Sequence, residues 1–103
     1  MLRVTFQYID DCPSHEQALA RLREVLNEES VTVEIDVIRV ESDEQAKRLH
    51  FVGSPTILVN DVDIDPQTNE HYGLACRAYQ LEDGRISPLP SKEMIRRAIR
   101  SES

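Results

Sequence analysis

The spacing of the apolar residues changes several times along this chain, and those changes limit the folds that it can adopt. Residues 3–9 and 30–40 alternate apolar and polar side chains, as half-buried strands do. Residues 56–60 form a continuous apolar run, which is typical of a strand covered on both faces. A polar loop over 61–73 then precedes a fourth predicted strand at 74–81.

Three other stretches repeat their apolar residues at helical spacing. Each begins near a serine that is suited to cap a helix, namely Ser14, Ser42 and Ser91. The predicted order is therefore β-α-β-α-β-β-α, an α/β fold. Right-handed crossovers in such a fold give an open sheet with helices on both faces and with the first and third strands side by side.

Length and charge exclude several classes of protein. The 103 residues suit one domain, and we expect a single domain over 1–103. Nineteen acidic against twelve basic side chains give a net charge of -7, which argues against nucleic acid as a partner. No apolar run is long enough to span a membrane, and the first residues are too charged for a signal peptide, so we expect no membrane association and a cytoplasmic location.

Cys12 is the first candidate for chemistry, because it lies between the first strand and the start of the first helix. The helix dipole and a protonated His15 favour its thiolate, whereas Asp10 and Asp11 oppose it. We expect a modestly lowered pKa for this thiol. The only other cysteine, Cys76, is far away in the sequence, so the chain is not a disulfide-dense scaffold.

The segment Cys12-Pro13-Ser14-His15 at the start of a helix, together with "VGSPT" before a strand, resembles the thioredoxin fold over nearly the whole chain. More narrowly, "CPSHEQAL", "GSPTILVN", "CRAY" and "PSKEMIRRAI" resemble small bacterial thioredoxin-like proteins, some loosely labelled alkylmercury lyase-like. The resemblance implies a mixed four-stranded sheet and a cis peptide bond at Pro55, opposite Cys12. It also implies that Pro13, Ser54 and Pro55 face a substrate, with the Ser54 backbone offered to an extended chain.

His15 occupies the position at which thioredoxins carry their second cysteine, so a disulfide within the motif is impossible. The resemblance thus implies thiol-disulfide or other thiol-redox chemistry with Cys12 as nucleophile, His15 as modulator or proton donor, and Cys76 as a possible resolving thiol. The partner would be a protein or a low-molecular-weight thiol or disulfide, and no cofactor is required. A path through Cys12 alone, released by an external thiol, remains open beside the two-cysteine path.

Two other classes of function remain open. A thioredoxin fold without turnover would use the groove beside Pro55 only for binding. Alternatively, Cys12 and Cys76 would capture a thiophilic metal such as zinc or mercury, with His15 and His71 as further zinc ligands. Cys76 also has a simpler interpretation, as a core residue of the fourth strand. For the segment NDVDID, a hairpin turn is favoured over a calcium loop.

Overall fold

The computed structural model describes residues 2–66 and 72–102. It has a mixed α/β architecture with three helices, a four-stranded sheet and a separate two-stranded ribbon. The elements in chain order are β1 (Val4–Tyr8), α1 (His15–Glu28), β2 (Ile35–Arg39), α2 (Asp43–Leu49), β3 (Thr56–Val59), β4 (Val62–Asp63), β5 (Tyr79–Gln80), β6 (Ile86–Ser87) and α3 (Lys92–Glu102).

The four-stranded sheet has the strand order β2-β1-β3-β4. Strand β1 runs parallel to β2, with Val4 opposite Ile35, and antiparallel to β3, with Val4 opposite Val59. The first and third strands lie side by side, as predicted, at the centre of the sheet, and β2 lies at an edge. Because β1 and β2 are parallel, their carboxyl ends meet at one end of the sheet.

The fourth strand of the sheet is not the segment predicted for it. Strand β4 lies in the stretch expected to be loop, and of residues 74–81 only β5 and an isolated bridge between Ser54 and Cys76 have strand pairing. The reason is a tight turn after β3, in which Asn60 and Asp61 have positive φ angles of 52° and 66°. Two such residues turn the chain straight back in a hairpin, so β4 occupies the free edge of β3. The hairpin turn expected in the acidic segment is confirmed.

The main core lies on one face of the sheet, under α1 and α3. Alternation in the strands points Val4 and Phe6 of β1 and Ile57 and Val59 of β3 to this face. Burial of each such side chain stabilises the fold by roughly 1.5 to 3 kcal/mol. The helical side chains of the same cluster are Ala18, Leu22, Val25, Leu26, Ile95 and Ile99.

Helix α2 contributes to a second apolar cluster, separate from the main core. Its Ala46 packs in this cluster with Ile9, Val40 and Phe51, and Cys12 also belongs to it. The cap predicted for α2 is also present, because the Ser42 hydroxyl accepts a hydrogen bond from the Gln45 amide at 3.1 Å. Cys12 is thus anchored among apolar side chains at the carboxyl end of β1.

Helices α1 and α3 are also joined by ion pairs. Glu28 contacts Arg96 at 2.7 Å and Lys92 at 2.5 Å, and Glu29 contacts Arg100 at 2.7 Å. These cations neutralise the acidic carboxyl end of α1, where the helix dipole disfavours negative charge.

Candidate functional site

Cys12 lies in the short connection between β1 and α1. Its amide donates a hydrogen bond to the Ile9 carbonyl at 3.3 Å, and its carbonyl accepts one from the His15 amide at 3.4 Å. These bonds fix the backbone immediately before the helix. Pro13 is exposed at the surface, whereas the Cys12 residue is only 1 % exposed.

Three groups surround the sulfur of Cys12. The Ser14 hydroxyl lies 3.2 Å from Sγ, and the thiol donates to the Ser54 carbonyl at 3.5 Å. Cys76 lies beside the same carbonyl, because its backbone pairs with Ser54. The fold therefore brings together two cysteines separated by more than half of the sequence.

The two thiols are shifted in opposite directions. Burial acts to raise the pKa of Cys12, but hydrogen bonds from Ser14, Cys76 and Ser54 outweigh it, so the pKa lies below its ordinary value. The pKa of Cys76 is raised, first by its hydrogen bond to Cys12, then by burial and by the negative charges of Cys12 and Asp11. Cys12 therefore ionises before Cys76 as the pH rises, and the lowered pKa of Cys12 is the direction expected from the sequence.

Ser14 is the contact that sequence reasoning missed. Its spacing to Gln17 predicted a side-chain cap for α1, but the Ser14 side chain makes no cap hydrogen bond. Its hydroxyl approaches the Cys12 sulfur instead. A hydroxyl two residues after a thiol at the start of a helix was the available signal.

His15 packs on the first strand. Its ring stacks on Tyr8, with ring centroids 4.5 Å apart and planes inclined by 27°. The groups that shift the pKa of Cys12 are Ser14, Cys76 and Ser54, together with burial. Asp10, expected to oppose the thiolate, forms an ion pair with Arg39 at 3.1 Å.

Ser54 and Pro55 lie beside Cys12, and the peptide bond between them is cis, as predicted. Both residues are buried. The Ser54 hydroxyl accepts a hydrogen bond from the Ile9 amide at 3.1 Å, and the Pro55 carbonyl accepts one from the Tyr79 hydroxyl. Burial raises the pKa of that hydroxyl, so Tyr79 remains a donor.

The backbone of Ser54 is paired with residues 75–77, which we call the covering segment. The Ser54 amide donates to the Ala75 carbonyl at 2.8 Å, and the Ser54 carbonyl accepts from the Arg77 amide at 3.0 Å. The edge at which we predicted an extended substrate is therefore occupied by the chain itself. Cys76, between the two pairing residues, is held against Ser54.

Arg77 anchors the covering segment. Its side chain is 4 % exposed and forms an ion pair with Asp63 of β4 at 2.8 Å. The same guanidinium donates to the Asp65 carbonyl at 2.8 Å and lies 4.3 Å from the ring centroid of Tyr79. A buried, multiply bonded arginine of this kind fixes the segment to the β3–β4 hairpin.

Cys76 is exposed, so its interpretation as a core residue is wrong. It lines a groove of about 500 Å³ together with Leu74, Ala75 and residues at the carboxyl ends of β1 and β2. A larger cavity of about 780 Å³ is lined by residues 2–3 and 31–34, at the amino ends of the same two strands. Among the described residues that line this larger cavity there is no thiol or imidazole, so the groove at Cys76 is the candidate site.

The predicted four-ligand zinc site falls partly outside the described residues, because His71 is not among residues 2–66 and 72–102. Within those ranges no three histidine, cysteine or acidic side chains are grouped as metal ligands. The same ranges contain no helix that is long and apolar enough to cross a membrane.

Comparison with known proteins identifies a family. The profile described as a domain of unknown function (DUF2703) matches residues 13–99. Because the match covers most of the chain, the protein belongs to this family. No curated protein and no solved structure matches the chain.

Proposed function

We propose that this member of the DUF2703 family is a thioredoxin-like thiol-redox protein in which Cys12 and Cys76 form a reversible disulfide. The observation that carries the proposal is the placement of both cysteines at Ser54: the Cys12 thiol donates to the Ser54 carbonyl, and Cys76 pairs with Ser54 through the backbone. The pKa of Cys12 is lowered and that of Cys76 is raised. A thiolate beside a protonated thiol is the starting point for disulfide formation with any oxidant that accepts two electrons.

The architecture supports the thioredoxin-like part of the proposal. The sheet order β2-β1-β3-β4 with β3 antiparallel to its neighbours, the cysteine before α1 and the cis-proline before β3 agree with the resemblance seen in the sequence. Cys76, which lies in the covering segment, takes the place of the second cysteine that the motif lacks. His15 is not part of the proposed cysteine pair, and its ring stacks on Tyr8.

The test is an equilibrium titration in mixtures of reduced and oxidised dithiothreitol, followed by acid quenching and mass spectrometry of alkylated cysteines. We expect the wild-type protein to lose both free thiols together in one two-electron transition. Cys12→Ser and Cys76→Ser should each abolish that transition while the fold is retained by circular dichroism. Wild-type cysteines that stay reduced both in oxidised dithiothreitol and in excess cystamine, a stronger oxidant, would contradict the proposal.

The same contact favours one second candidate, the capture of a thiophilic ion. Two adjacent sulfurs suit mercury(II), whereas zinc requires further ligands. If capture is the function, one equivalent of mercury(II) should raise the melting temperature of the reduced wild-type protein, and loss of either cysteine should remove the effect. A binding module without turnover is less well supported, because the groove beside Pro55 is closed by the covering segment.

A further inference from the structure

We infer that the cysteine pair reacts with a small, positively charged disulfide at the exposed sulfur of Cys76, and that buried Cys12 acts second as the internal thiol that closes the protein disulfide. This inference rests on the proposed function, since it assigns the order in which the two sulfurs act and the class of molecule that reaches them.

Access to the two sulfurs differs. Cys12 is 1 % exposed and packs among Ile9, Val40 and Phe51. Cys76 is exposed and lines the groove. Thiol-disulfide exchange requires the attacking sulfur to approach along the S–S bond, so an external disulfide meets Cys76 first.

An extended polypeptide is disfavoured as the substrate. Strand pairing beside the cis-proline would need the amide and carbonyl of Ser54, and both are bonded to the covering segment. Freeing them would disrupt the contacts of Arg77 with Asp63 and Asp65 and the hydrogen bond from Tyr79 to Pro55. A small molecule reaches Cys76 without breaking any of these contacts.

The groove has the size and charge for such a molecule. Its volume of about 500 Å³ is in the range of small-ligand sites. Three carboxylates (Asp10, Asp11 and Glu41) line it against the single guanidinium of Arg39, which is itself paired with Asp10 and Glu41. The resulting negative field attracts cationic disulfides and repels anionic ones.

The reaction proceeds in two balanced exchanges. The Cys76 thiol loses its proton to solvent, its sulfur bonds to one sulfur of the disulfide R–S–S–R, and R–S⁻ leaves and takes up a proton. The Cys12 thiolate then attacks Sγ of Cys76, which forms the Cys12–Cys76 bond and releases the second R–S⁻. The protein loses two electrons and the external disulfide gains them. The lowered pKa of Cys12 increases the ionised fraction of this sulfur for the second step.

Trapping separates the order of attack from the proposed function. We would treat reduced Cys12→Ser and Cys76→Ser with cystamine at neutral pH, quench with acid and map the mixed disulfides by mass spectrometry. Cys12→Ser should accumulate the adduct on Cys76, about tenfold or more faster than Cys76→Ser accumulates it on Cys12. The opposite order would overturn the inference and leave the proposed function intact. A folded wild-type protein that forms no Cys12–Cys76 disulfide would instead overturn the proposed function.

Two controls accompany the trapping experiment. Circular dichroism checks the fold of each variant, and Cys12→Ala repeats the experiment without the hydroxyl that Cys12→Ser introduces.

The substrate class is tested by comparing three disulfides at equal concentration. The wild-type protein should react about tenfold or more faster with dicationic cystamine than with dianionic dithiodiglycolate, and the ratio should fall towards one at high salt. It should also react faster with cystamine than with insulin. Equal rates with dithiodiglycolate would overturn the charge assignment, and a faster reaction with insulin would overturn the small-molecule assignment.

A charge-matched pair of variants locates the field. The double variant Asp11→Asn/Glu41→Gln should reduce the preference for cystamine. The double variant Glu34→Gln/Asp36→Asn removes the same amount of charge outside the groove, at the start of β2, and should keep the preference for cystamine. An equal loss in both would mean that the overall charge of the protein, and not the groove, sets the preference, which would overturn the assignment of the groove.

Discussion

The hydroxyl of Ser14 lies 3.2 Å from the sulfur of Cys12, at the start of α1. This hydroxyl donates to the thiolate, so it stabilises the charged form of Cys12. We therefore expect Ser14→Ala to raise the pKa of Cys12. The measurement is thiolate absorbance near 240 nm as a function of pH, made in a Cys76→Ala background so that only one thiol titrates.

Ser42→Ala is the matched control for Ser14→Ala. Ser42 caps α2 through its hydroxyl, and loss of that cap should cost about 1 kcal/mol of stability without moving the titration of Cys12. Ser14 makes no cap hydrogen bond, so its replacement should change the titration with a smaller loss of stability. An unchanged titration in Ser14→Ala would remove Ser14 from the site.

The sequence predicted most of the regular fold because periodicity is a local property. The alternation around Val4 and Phe6 and the helical spacing of Leu22 and Val25 were sufficient to place β1 and α1. The fourth strand was misplaced because β4 has only two residues, too few for a periodic pattern. Its existence depends on the positive φ angles before it.

The site was only partly predictable, for a different reason. Cys12 was identified from its position before a helix, but the position of Cys76 depends on pairing between residues 54 and 76. That pairing is stabilised by the buried side chain of Arg77, and a charged residue in an apparent strand pattern predicts exposure. Contacts of this kind appear only once the chain is folded.

Arg77→Ala should be strongly destabilising. The substitution leaves the largely buried Asp63 without its ion-pair partner and opens space beside Tyr79. Loss of one partner of a buried pair costs about 3 to 5 kcal/mol. Urea unfolding measures the change. Arg85→Ala is the control, because Arg85 forms an exposed pair with Asp83, and it should unfold nearly as the wild type does.

Gly53→Ala should disturb both stability and the thiol pair. Gly53 has a φ of +143°, and a Cβ at this position would lie 2.7 Å from the Cβ of Arg77. Gly84 also has a positive φ, of +89°, but a Cβ there meets no atom within 4 Å. Gly53→Ala should therefore lose about 1 to 3 kcal/mol more stability than Gly84→Ala.

The same pair of glycine variants tests the link between the covering segment and the chemistry. A displaced Arg77 moves the adjacent Cys76, so Gly53→Ala should form less Cys12–Cys76 disulfide in the dithiothreitol titration, whereas Gly84→Ala should match the wild type. Equal disulfide formation in both would mean that the cysteine pair tolerates displacement of the covering segment.

The ion pairs between α1 and α3 should make stability depend on pH in the acidic range. Hydrogen bonds from Lys92 and Arg96 hold the pKa of Glu28 below its ordinary value of 4.5, and a hydrogen bond from Arg100 does the same for Glu29. A carboxylate whose pKa is lower in the folded state stabilises the fold above its unfolded pKa, and this contribution is lost as the pH falls through the folded value. At neutral pH the wild-type protein should therefore have a higher melting temperature than the double variant Glu28→Gln/Glu29→Gln. This difference in melting temperature should shrink below about pH 4.5. Thermal melts across this range measure it, with Glu34→Gln as a control that removes a carboxylate outside this cluster. A difference that persists unchanged into strong acid would mean that Glu28 and Glu29 act through packing and not through their charge.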